Sequence, residues 1–160
     1  MVQGAFGTSS NFGYTLFYTT NFIFTGLAVA IASHAKFFNI GAEGQATLGG
    51  LGVALICLYI PFPHWSIALI VAMIAAAAFG GFWAAFPAYR QAKRGSHIVI
   101  TTIMFNYIAS SLLIWVLVNV LRPAGEQSPA TAAFPEVTHI PRLSDIPGLD
   151  LLWPRAVQAN

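Results

Sequence analysis

Before Arg90 the chain carries only two charged side chains, Lys36 and Glu43, and from Ser96 to Leu121 it carries none. Stretches of that length can cross a hydrocarbon core, which takes about 20 apolar residues. Inside lipid, only helices and closed barrels satisfy every backbone polar group. The composition agrees: 57% of residues are hydrophobic and 8% are charged, with a mean hydropathy of +0.70, where a soluble domain carries about 25% charged residues. The chain reads as an all-α polytopic membrane protein.

Four spans are expected, over roughly 14–34, 46–60, 65–89 and 98–121. The first is rich in Phe, Thr and Ala, and its Thr19-Thr20-Asn21 run is a polar intrusion. The second is short, with Gly49, Gly50 and Gly52 crowded near its start before Pro61-Phe62-Pro63-His64-Trp65 ends it. A short or glycine-loosened segment of this kind points to a broken or short helix. In the third, Ala75 to Ala78 followed by Gly80-Gly81 form a face on which another helix backbone can approach closely. The fourth is dense in Ile, Leu and Val and sets Thr102, Asn106 and Ser110 at i, i+4 and i+8, on one helical stripe. Residues 122–160 hold six of the nine prolines and no span-length apolar run, and read as an external, Pro-rich loop segment. The whole of 1–160 reads as a single transmembrane domain.

Between the first two spans lies Phe38-Asn39-Ile40-Gly41-Ala42-Glu43-Gly44-Gln45, and Glu43 is the only acid before position 126. A carboxylate at membrane depth is costly unless it is paired, hydrated or functional. Asn39 and Gln45 can each donate and accept, which suits sugar hydroxyls or a nucleobase edge and equally suits backbone groups freed at a helix break.

Orientation follows from Arg90, Lys93 and Arg94, a basic loop between spans three and four that the positive-inside rule assigns to the cytoplasm. Alternation then puts the Pro61–Trp65 turn, the tail and both chain ends outside, and Lys36 with the polar motif toward the cytoplasmic side. The seven basic residues form no patch of the kind that binds nucleic acid. Cys57 stands alone in an apolar run, so no disulfide framework or CxxC metal pair arises. No P-loop, GxSxG or HExxH pattern is present and the four histidines are scattered, so no catalytic residue and no metal site is expected.

The motif at 38–45, together with Gly95 through Ala109 (GSHIVITTIMFNYIA), resembles the permease subunit of bacterial ABC importers for nucleosides and simple sugars. Leu48-Gly49, the Trp-containing segment Gly80 to Pro87, and the basic residues before Gly95 fit the same resemblance, which covers roughly residues 14 to 140. Where that family commonly has an Asn-Glu pair just before Val-Ile, this chain has His97-Ile98 before Val99-Ile100. Permeases of the family are much longer, so the chain resembles a fragment without the N-terminal span and without the C-terminal half that carries the ATPase-docking loop.

The resemblance implies a bacterial plasma (inner) membrane location and no cofactor in this chain, ATP being bound by a separate subunit. The implied partners are a second permease subunit, an ABC ATP-binding subunit, an extracytoplasmic substrate-binding protein and membrane lipid. It also implies a substrate path, for which Asn39, Glu43, Gln45, Thr102 and Asn106 are the candidate residues. Glu43 can contact substrate, pair with Lys36 or accept backbone N–H groups. Thr102, Asn106 and Ser110 can equally serve helix packing, at on the order of 0.6 kcal/mol per hydrogen bond. A secondary transporter or channel without an ATPase, with ion coupling through Glu43, and a non-functional truncated remnant are the alternative readings.

Overall fold

The computed structural model describes residues 9–36, 39–94 and 97–140, and all regular structure among them is helical. The helices are α1 (Ser9–His34), α2 (Ala42–Tyr59), α3 (Trp65–Arg94) and α4 (Ile98–Val116). A π-helical turn, Leu117–Leu121, continues α4, and a single 3-10 turn covers Glu136–Thr138. The chain divides into two compact units, 1–30 with 140–160, and 31–139, which are taken separately.

In the first unit, the described residues are Ile140 and the greater part of α1. Its large apolar side chains, among them Phe17, Phe22, Ile23 and Phe24, are exposed, as a lipid-facing helix requires. The Thr-Thr-Asn run does not interrupt it, because the hydroxyls are satisfied by the helix's own carbonyls. Thr15 Oγ donates to Asn11 O at 2.9 Å, Thr19 to Thr15 O at 2.6 Å, Thr20 to Leu16 O at 2.9 Å and Thr25 to Asn21 O at 2.8 Å. Threonine back-bonding of this kind removes the penalty of an unpaired hydroxyl in an apolar medium.

The second unit is built around α2. Among the described residues, three helical segments are long and apolar enough to cross a membrane, Asn11–His34, Trp65–Lys93 and Val99–Leu121. Helix α2 is not among them. Its 18 residues rise about 27 Å at 1.5 Å per residue, and it is continuous, beginning at Ala42, ahead of the expected start at 46. Of the two expectations for this segment, short is the one observed. The glycines leave the helix unbroken, and Gly44, Gly49 and Gly52 instead mark where its neighbours come closest.

A Cβ on Gly49 would lie 3.2 Å from Ala76 O, and one on Gly80 would lie 3.1 Å from Gln45 O. Helices α2 and α3 therefore meet backbone to backbone in antiparallel order, as small residues permit in membranes. Ala72 and Ala75 are buried in this seam, whereas Gly81, expected on the same face, meets nothing within 4 Å. Helix α4 lies parallel to α2 on another side. Leu48, Leu51, Ala109 and Leu121 form the buried cluster, with Leu55, Leu58, Trp83, Leu113, Val116 and Leu117 packed on it.

The turn at 61–64 is closed by His64, whose Nδ1 accepts the Ser66 N–H at 3.3 Å and lies 2.8 Å from Ser66 Oγ, so that a histidine caps the start of α3. Beyond the π turn the tail folds back on this end: Pro135, Val137 and Thr138 share with Leu58–Phe62 a hollow of about 340 Å³. Residues 135–138 and the 58–62 segment thus lie together at one end of this unit. The α2 N-terminus, the α3 C-terminus with exposed Arg90 and Lys93, and the α4 N-terminus occupy the opposite end.

Candidate functional site

The polar motif is the N-terminal end of α2. Gly41 is the N-cap, with φ −81° and ψ 7°, and carries no side chain to cap with. Asn39 folds over it locally: its Oδ1 accepts the Gly41 N–H at 2.8 Å, an Asx-type turn. Another first-turn donor, the N–H of Gly44, is satisfied from another helix. Asn106 Oδ1 accepts it at 2.9 Å, and Asn106 Nδ2 donates to Ile40 O at 3.0 Å. First-turn N–H groups have no intrahelical acceptor, so α4 provides in trans the cap that α2 lacks.

The two glycines make that approach possible. A Cβ on Gly41 would lie 2.9 Å from Asn39 Oδ1 and 3.2 Å from Thr102 Cβ. One on Gly44 would lie 2.8 Å from Asn106 Oδ1, 3.1 Å from Asn106 Cα and 3.2 Å from Trp83 Nε1. Thr102 is 1% exposed, and its hydroxyl donates to Val99 O at 3.0 Å, with its methyl set near Gly41. The i, i+4 pair Thr102 and Asn106 is thus the part of α4 against which α2 begins.

Glu43 lies between the two points at which Asn106 holds the chain. Its backbone carbonyl accepts Thr47 Oγ1 at 2.8 Å, and its place in the first turn is the favourable end of the helix dipole. The side chain is exposed and borders a recess of about 320 Å³ lined by Ile40, Glu43, Ile103, Asn106, Tyr107 and Ser110. Among the described residues, no ion pair joins Glu43 to Lys36 and no backbone N–H donates to its carboxylate. Lys36 is itself exposed and ends α1 in the left-handed region at φ 62°, its N–H donating to Ser33 O at 3.0 Å.

Of the sequence candidates, the structure brings Asn39, Glu43, Thr102 and Asn106 to one place. Gln45 is itself at the α2–α3 seam, its carbonyl beside Gly80, and its side chain is not among those lining the recess. Asn39 and Thr102 also flank the recess without lining it. Arg90 and Lys93 lie near the end of α3, past Trp83, the residue of that helix that meets Gly44. The Arg94 side chain lies outside the described residues, as do Phe37, Phe38, Gly95 and Ser96.

Sequence reasoning missed Ile103 and Tyr107, although they share Asn106's stripe at helical spacing. It also missed the position of Trp83. Among the described residues that indole N–H, buried against Gly44, has no hydrogen-bond partner, and its ring packs on Phe105 at 5.2 Å between centroids. Pro87, inside α3, also withdraws the N–H that would have met the Trp83 carbonyl.

A family model described as the permease component of a branched-chain amino acid transport system matches residues 11–143. The guanosine ABC transporter permease protein NupP of Bacillus subtilis is 40% identical over 119 residues, 74% of this chain and 34% of that protein. The glucose ABC transporter permease protein TsgB13 of Haloferax volcanii is 33% identical over 144 residues, 88% of this chain and 37% of that protein. The nucleoside ABC transporter permease protein NupB of Lactococcus lactis is 35% identical over 104 residues, 65% of this chain and 29% of that protein. The chain therefore spans about a third of the length of these relatives. No solved structure matches it. With the family match running through all four helices, this multi-pass membrane chain belongs to the permease-component family of branched-chain amino acid transport systems.

Proposed function

We propose that the chain supplies part of the membrane-spanning permease of an ABC importer in the plasma (inner) membrane, and that the recess beside Glu43 belongs to the substrate path. The substrate class is nucleosides or simple sugars, the chemistry that the relatives' names share. Such solutes are neutral and rich in hydroxyls. The recess offers them a carboxylate acceptor, the Tyr107 and Ser110 hydroxyls and two apolar side chains, Ile40 and Ile103. The chain's part is positioning and passage rather than covalent chemistry. ATP is bound and hydrolysed by a separate ATP-binding subunit, and an extracytoplasmic binding protein and a second permease subunit complete the machine.

The observation that carries this reading is the unpartnered Glu43 carboxylate at the recess. A membrane carboxylate without a local partner is a functional site by default. The test is Glu43→Gln in the complete permease, assembled with its partners, with uptake of labelled guanosine and glucose measured alongside the amount of permease in the membrane. Hydrogen bonds to a charged group are worth about 1.5–3 kcal/mol, so uptake should fall about tenfold or more at normal membrane levels. Unchanged uptake, or loss of the protein from the membrane, refutes the reading.

A further inference from the structure

Asn106 faces the same recess as Glu43, yet its polar atoms are already engaged. Nδ2 donates to Ile40 O at 3.0 Å and Oδ1 accepts from Gly44 N–H at 2.9 Å. Ile40 and Gly44 bracket Glu43 in the chain. Turning the amide over would set NH₂ against N–H and oxygen against carbonyl, so its partners dictate one orientation. No side chain on the N-cap, Gly41, could replace it, and the bare Gly44 is what lets α4 come within reach. We infer that Asn106 is a positioning residue: by pinning the chain on both sides of Glu43, it aims that carboxylate into the recess. The inference rests on the proposed role of Glu43 in the substrate path.

The experiment uses the complete transporter with Asn106→Ala, Asn106→Asp, Glu43→Gln and the Glu43→Gln/Asn106→Ala double variant. Hydrogen exchange is followed by mass spectrometry on peptides covering 40–48 and, as reference, the rest of α2, beside initial rates of guanosine uptake. In Asn106→Ala, exchange at 40–48 should quicken about 5–30-fold, the factor that one or two kcal/mol represents, with the later turns of α2 unchanged. Asn106→Asp keeps an acceptor for Gly44 N–H at the positive end of the helix but sets its second oxygen against the Ile40 carbonyl, so exchange at 40–48 should fall between that of the parent and that of Asn106→Ala. The double variant should transport no worse than the poorer single variant, because Asn106 acts through Glu43.

Unchanged exchange at 40–48, or quickening along the whole of α2, overturns the inference. So does a double variant whose loss equals the product of the two single losses, which would make Asn106 an independent contact. If Glu43→Gln transports normally while exchange at 40–48 still quickens in Asn106→Ala, the path reading falls and the pinning stands.

Discussion

Replacing Gly44 with alanine tests the central contact of this architecture. The added methyl would lie 2.8 Å from Asn106 Oδ1 and 3.1 Å from Asn106 Cα. The side-chain oxygen can swing away only by giving up both of its amide's bonds, to Gly44 N–H at 2.9 Å and to Ile40 O at 3.0 Å. The Cα is backbone and can yield only if α4 retreats by some tenths of an ångström. Two hydrogen bonds at about 1 kcal/mol each and overpacking at about 1–3 kcal/mol oppose a helix-propensity gain of at most about 1 kcal/mol. The net destabilisation is about 2–5 kcal/mol. Gly50→Ala is the matched control, since a Cβ there meets nothing within 4 Å and should gain up to about 1 kcal/mol. The assay is the apparent melting temperature of the complete permease in detergent, by size-exclusion chromatography after heating. Gly44→Ala should melt well below the parent and Gly50→Ala at or above it. A Gly44→Ala protein that melts at the parent temperature would refute the account of this seam.

Two further outcomes can be checked. Trp83→Phe removes a buried, unpartnered indole N–H, whose desolvation costs about 1–3 kcal/mol, while keeping an aromatic ring against Phe105; stability should hold within about 1 kcal/mol or rise, and a larger loss in the same melting assay would mean that the indole has a partner. For topology, a cysteine near Lys93 should react with an impermeant thiol reagent only after permeabilisation and one near Pro129 in intact cells, and the reverse labelling would invert the assigned orientation.

The polar motif was legible as an anomaly because one carboxylate among so few charges is conspicuous, and the Thr102, Asn106, Ser110 stripe was legible from helical spacing alone. Their meeting was not. Asn106 and Gly44 are far apart in the chain, and nothing in either segment reports that one amide will bridge the Ile40 carbonyl and the Gly44 N–H. The second helix shows the same limit. Its glycines read as a weakness in an isolated segment, where Gly lowers helix propensity, but against α3 and α4 Gly49, Gly52 and Gly44 are the positions where Ala76, Phe79 and Asn106 come within van der Waals reach.

What the chain determines by itself is the membrane, the helical class, the span order and the place of the one early acid, since these follow from transfer free energies and backbone satisfaction, summed residue by residue. What only the tertiary structure decides is who caps α2, which polar groups remain unpaired and which side chains border Glu43. Those depend on where α4 lies against α2, and that placement is set by close packing between segments remote in sequence, a property that no local window of residues contains.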